Sequence, residues 1–185
     1  VASLQRSSDC YRQAYAARQD PYPFLNLLAA EIALAWQRRG AAAEVARLLE
    51  ADLPHIQAAL RDTLARERDF WASAMLADLQ LLEALAREAL SEALLADIVD
   101  GYRTAAQRGS PRELASVLDQ LDFLIAMAVE QRPAIDRWLR QVRERVARAP
   151  QGPEALPAGG RAANAGTTGR ARRPAGRGMR SRRNP

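Results

Sequence analysis

Up to about residue 148, apolar residues recur at three- and four-residue spacing. No stretch alternates with period two for long enough to make a strand, so the pattern predicts an all-α domain. A first helix, about Leu4 to Arg18, stops before Asp20-Pro21, where proline restricts its predecessor and cannot continue the hydrogen-bond ladder. A second, about Pro23 to Arg39, ends at Gly40, a residue suited to a C-terminal cap. The third, about Ala42 to Arg66, contains Pro54, whose missing N–H implies a kink or a break near Asp52, with two short helices as the alternative to one. A fourth spans about Asp69 to Glu88, and a fifth starts after Ser91 and finishes near Gly109. Ser110-Pro111-Arg112-Glu113 then places a capping serine, a proline at the first helical position and a glutamate at the third, which is a capping box. That sixth helix runs to about Glu130, and Pro133 opens a seventh that ends near Arg148.

Connections of two to four residues between helices of this length force antiparallel neighbours, so about seven helices are expected to stack as successive hairpins. A short repeat favours such a stack over a closed bundle. Asp9-Cys10-Tyr11-Arg12-Gln13-Ala14 recurs as Asp100-Gly101-Tyr102-Arg103-Thr104-Ala105, each followed by a proline-started helix. The inferred helix starts near Tyr22, Asp69 and Pro111 lie 42 to 47 residues apart, a spacing that helical repeat arrays use.

Particular segments extend this. The tyrosine-bearing stretch Tyr11 to Ala17 leads into Asp20-Pro21-Tyr22-Pro23-Phe24-Leu25-Asn26 and an Ala/Leu-rich helix. Asp69-Phe70-Trp71-Ala72 opens the next hairpin, and Tyr102-Arg103-Thr104-Ala105 is followed by Ser116 and Gln120-Leu121. Across residues 9 to 125 this resembles tetratricopeptide repeats in the divergent form called the TRAF-binding domain of MAP3 kinases, also found in bacterial multidomain proteins. Phe24 stands where that family usually has a glycine after Tyr-Pro, and the middle linker is longer and carries Pro54. The resemblance implies a TPR-like α-solenoid that acts as a non-enzymatic scaffold, joined to effector or signalling domains elsewhere in the polypeptide.

Composition narrows the chemistry. All 27 basic residues are arginine, which removes a P-loop, a pyridoxal Schiff base, a Ser-Lys dyad and a kinase ATP-anchoring lysine. One cysteine, Cys10, and one histidine, His55, exclude a disulfide framework and leave too few ligands for the common zinc sites. No metal and no cofactor is expected, and a reducing cytoplasm fits best. No apolar run approaches the roughly 20 residues of a membrane span and no signal peptide opens the chain, so no membrane association is expected. Val1 in place of methionine, with helical pattern already at Leu4, suggests a chain that starts inside a longer polypeptide.

The formal charge of +5 divides unevenly. Residues 149–185 hold eight arginines and one glutamate, a net +7, which leaves −2 on residues 1–148. The same 37 residues carry seven of the ten glycines, five of the ten prolines and no aromatic, so they are expected to be a disordered tail that cannot offset its ordering entropy. Arg170, Arg172, Arg173, Arg177, Arg180, Arg182 and Arg183 could grip the phosphates of a nucleic acid there through counterion release, though without base stacking. The bland reading of the same composition is a solvated tail, or an end translated in an uncertain reading frame.

In the domain, Asn26, Ala30, Ala33 and Gln37 form a small and polar stripe on the second helix. Such a stripe either admits a peptide backbone, with Asn26 and Gln37 as hydrogen-bonding anchors, or lets another helix pack closely. Asp78 is flanked on its own side by Trp71, Met75, Leu82 and Leu85. It therefore requires an arginine, a tyrosine hydroxyl or backbone N–H groups, or else it faces an open groove where it would orient a partner. Tyr11, Tyr102, Phe70, Trp71 and Trp138 read as packing residues, and Met75 and Met127 as core filler. Cys10 and His55 show no signature of a nucleophile-base pair. The reading that results is a cytoplasmic, non-enzymatic scaffold whose partner is a protein or peptide, with a neighbouring domain of the same polypeptide among the candidates. The alternative is a nucleic-acid-associated helical protein that uses its arginine-rich tail.

Overall fold

The computed structural model describes residues 2–37 and 42–148, all within one compact unit. Over that range every regular element is a helix: α1 (Ala2–Arg18), α2 (Pro21–Gln37), α3 (Ala42–Ala51), α4 (Leu53–Arg66), α5 (Phe70–Ala86), α6 (Glu92–Ala106), α7 (Pro111–Ala128) and α8 (Pro133–Ala147). The expected count of about seven is corrected to eight among the described residues, because the segment carrying Pro54 divides in two. The chain bends at Asp52, whose N–H still reaches Leu48 O at 3.1 Å, and α4 restarts with Pro54 in its first turn. Asp52 makes no side-chain cap. Its carboxylate instead faces Arg47 at 3.6 Å. The expected glycine cap at Gly40, and the tail with its seven clustered arginines, lie outside the described residues.

The other boundaries follow their capping chemistry. Asp69 accepts from Ala72 N at 2.5 Å, Ser91 accepts from Leu94 N at 3.1 Å, and Ser110 with Glu113 forms the reciprocal box. At the end of α5, Glu88 takes the left-handed conformation (φ 51°). Its N–H bonds Leu85 O and that of Ala89 bonds Ala84 O, a Schellman closure made without glycine.

Helices α2 and α5 are apolar nearly all round, the signature of elements enclosed on every side rather than along one stripe. In α2, everything from Pro23 to Trp36 is buried except Asn26 and Ala35, which are partly so. Helices α1 and α2, α5 and α6, and α7 and α8 pack as pairs, with α3 and α4 wrapping α2 and α5. Helix α2 also touches α7. A strictly one-dimensional array, in which each unit meets only its neighbours, has no such contact. The repeated hexapeptide does not mark equivalent surroundings either. Tyr102 is buried and hydrogen-bonded to α5, whereas Tyr11 is only partly buried and borders a small surface cavity.

Two features fix neighbouring helices. Gly109, between α6 and α7, lies so close to the Phe70 ring that a Cβ there would collide with it. Gly109→Ala is therefore expected to destabilise by about 1 to 3 kcal/mol in urea denaturation, as Phe70 is pushed from a packed site; an unchanged midpoint would show that the ring moves freely. The second is a charge network joining the first three helices. Glu31, 5% exposed within apolar α2, accepts from Ser8 Oγ at 2.5 Å and from Arg12 at 2.6 Å. Arg12 also pairs with Glu44 of α3, which Arg47 holds at 2.9 Å.

Candidate functional site

A cleft of about 800 Å³ opens in the described domain. It lies between the C-terminal turns of α2 and α5, one side of α3 and the α7–α8 connection. Its floor is apolar, built from Ile32, Trp36, Val45, Leu49 and Leu85, all of which also belong to the core. Its rim is polar: Gln37, Glu50, Arg87, Glu88, Gln131 and Arg132. The helix periodicity explains the floor. Ile32 and Trp36, like Val45 and Leu49, stand four apart on one face, and the apolar faces of α2 and α3 converge there.

The rim is tied down. Arg132 Nη1 donates to Glu88 Oε1 at 2.7 Å, linking the α7–α8 connection to the end of α5, and Arg87 pairs with Glu83 at 3.0 Å one turn back. Both pairs are exposed and contribute little stability. They hold the guanidinium groups in place at the mouth of the cleft. A concavity of this size, with an apolar floor under a largely polar and charged lining, suits side chains of a bound segment that also carries polar groups.

Of the residues singled out by sequence, Gln37 borders this cleft. It is exposed, and its amide approaches Met127 Sδ at 3.8 Å. Asn26 stands elsewhere, partly buried, donating to Tyr22 O at 2.9 Å and lining a separate cavity of about 200 Å³ with Tyr11, Gln120 and Phe123. The stripe between them has a clear occupant. Asn26 lies near Gln120 and Phe123, and Gln37 near Met127, so α7 runs parallel to α2 along the stripe, with Ala30 and Ala33 buried between. The two anchors are thus at opposite ends of a helix contact.

Asp78 is partly buried on α5 and does not border the cleft. Its Oδ1 accepts from the Tyr102 hydroxyl at 2.5 Å, one of the partners its apolar flank calls for. Burial pushes its carboxyl up to about 6, against the lowering effect of the Tyr102 hydrogen bond. Burial likewise raises Tyr102, and the neighbouring carboxylate adds to it. Among the described residues no group of three His, Cys, Asp or Glu side chains is placed to hold a metal ion. Cys10 is an unbonded, exposed residue of α1, and His55 is exposed on α4.

Phe70, Tyr102 and Trp138 are buried, but Trp71 is 43% exposed. Among the described residues no helix is long and apolar enough to cross a membrane. Comparison of the chain with family models, curated proteins and solved structures finds no match.

Proposed function

We propose that this chain is a non-enzymatic interaction module of the cytoplasm that holds an apolar segment of a protein partner in the cleft between α2, α3 and α5. In this reading its hairpins stack in the tetratricopeptide manner, with α7 folded back on the first hairpin, and the module serves a larger signalling or effector polypeptide. The observation that supports it is the cleft itself, an apolar floor continuous with the core behind a paired polar rim. A rigid floor keeps the ordering cost of binding on the partner's side, and rim amides such as that of Gln37 can satisfy a bound backbone.

Ala46 provides the test, since it is exposed on α3 and lines the cleft without belonging to the core. Peptides selected from a random displayed library on the full chain are expected to lose at least tenfold in affinity to Ala46→Trp, while the thermal melt is unchanged. Gln37→Ala is expected to weaken them less. Selected peptides that bind Ala46→Trp as well as the original chain would move the docking surface elsewhere. If binding followed residues 149–185 and fell steeply with salt for any polyanion, the nucleic-acid reading of the tail would take its place.

A further inference from the structure

Many arginines of the described domain face carboxylates: Arg12, Arg47, Arg87, Arg132, Arg140 and Arg143 are all ion-paired. Others are not, and five of these fall around the α4–α5 and α6–α7 connections. Arg61 and Arg66 near the end of α4, Arg68 in the connection to α5, and Arg108 and Arg112 flanking the α6–α7 turn have no carboxylate partner among the described residues. Two contacts bring the turn onto the start of α5. Gly109 lies against Phe70, and Arg108 Nη1 donates to Ser73 Oγ at 2.5 Å. The helix starts here are already capped, with Asp69 and Glu113 committed to them. Asp62, Glu67, Asp69 and Glu113 set four carboxylates against the five guanidinium groups of this stretch, and the two capping ones are turned to the helix starts.

Trp71 stands in the first turn of α5, three residues after Arg68. Its ring is set edge-on to buried Phe70, with centroids 4.9 Å apart and planes at 85°. A half-exposed indole supported by a core ring is a rigid flat surface three residues along the chain from Arg68, which has no carboxylate partner. We propose that this corner binds single-stranded nucleic acid, with backbone phosphates on Arg68, Arg108 and Arg112 and one base stacked on Trp71. Guanidinium groups pair with phosphate oxygens, and an aromatic face accepts any unpaired base, which is why a single strand is favoured over a duplex. A membrane surface fits less well, because interfacial anchoring needs a broad apolar face, whereas the other exposed large apolar residues, Tyr22, Phe123 and Val129, lie along α2 and at α7. This surface is independent of the cleft.

The test titrates the full chain with a fluorescein-labelled twelve-nucleotide oligothymidylate, reading anisotropy and intrinsic fluorescence together. Trp36 and Trp138 are each 8% exposed, so quenching on binding reports Trp71. Trp71→Ala is expected to abolish the quenching and weaken binding about tenfold, with Trp71→Phe recovering part of the affinity through its ring. Arg68→Gln/Arg112→Gln is expected to weaken binding and lower the salt slope by about one to two. The arginines from Arg170 to Arg183 can hold phosphates without stacking, so the indole signal, not affinity alone, isolates the corner. Oligothymidylate bound with no quenching and no loss in these variants would overturn the proposal. So would a Trp71 signal that appears with phosphatidylglycerol vesicles and not with the oligonucleotide.

Discussion

Arg12→Ala is expected to lower the unfolding free energy by about 3 to 5 kcal/mol, because it strands a buried carboxylate without its cation. Glu31 sits in the apolar length of α2, and Arg12 Nη2 approaches it at 2.6 Å while the same guanidinium reaches Glu44. The Arg12 side chain is itself 41% exposed, so water takes over part of its role and the lower end of the range is expected. Ser8→Ala removes a neutral donor to the same oxygen and is expected to cost about 1 to 3 kcal/mol. Arg12→Lys cannot reach both carboxylates in fork geometry and is expected to fall in between. Adding Glu31→Leu to Arg12→Ala removes the stranded charge and is expected to recover most of the loss. Urea denaturation of the set decides it: if the double variant is no more stable than Arg12→Ala, the penalty comes from lost packing by Arg12, not from the buried charge.

Asp78→Asn is expected to stabilise the protein above pH 6 and to flatten its stability between pH 4 and 6. The Asp78 carboxyl is raised by burial from an ordinary 3.8 to about 6. Below pH 4 it is protonated in folded and unfolded chains alike, and its contribution is fully present. As pH rises toward 6 the unfolded chain releases the proton first, so the folded state loses stability, by about 2 to 3 kcal/mol for a shift of this size. Asparagine keeps an oxygen for the Tyr102 hydroxyl and carries no charge. Glu44 works in the opposite sense and in a lower window. Held down to about 2, chiefly by its hydrogen bond from Arg47, it contributes stability above about pH 4.5 that is lost as pH falls toward 2. Denaturant melts at pH 2, 3, 4, 5, 6 and 7 separate the two. An Asp78→Asn profile parallel to that of the original chain would mean that water reaches the carboxylate freely.

The helices were legible because their signals are local. Ser110 and Glu113, Asp69, and the break before Pro54 all act within one turn of where they stand, and the structure uses each of them at a helix boundary. Asp78 was legible in part, since an acid flanked by Trp71, Met75, Leu82 and Leu85 demands a partner, but only the packing of α6 on α5 selects Tyr102. Glu31 carried the same signal, a lone acid in the apolar run from Phe24 to Trp36, and its significance was missed. The cleft could not be read, because Val45, Leu49, Leu85 and Gln131 come from elements far apart in the chain. Trp71 was misread for a related reason. Its apolar character is plain in the sequence, yet α5 is covered on its other sides and Phe70 fills the inward place beside it.

The passage of α7 along α2 ties the later helices to the first hairpin. A ladder of like units can be lengthened or trimmed rung by rung, since each end is much like the next. Here Phe123 stands beside Ala29 and Ala30, two of the buried alanines of α2. A truncation ending before Ser110 would lay those alanines bare, and the shortened chain would clump instead of persisting as a smaller working copy.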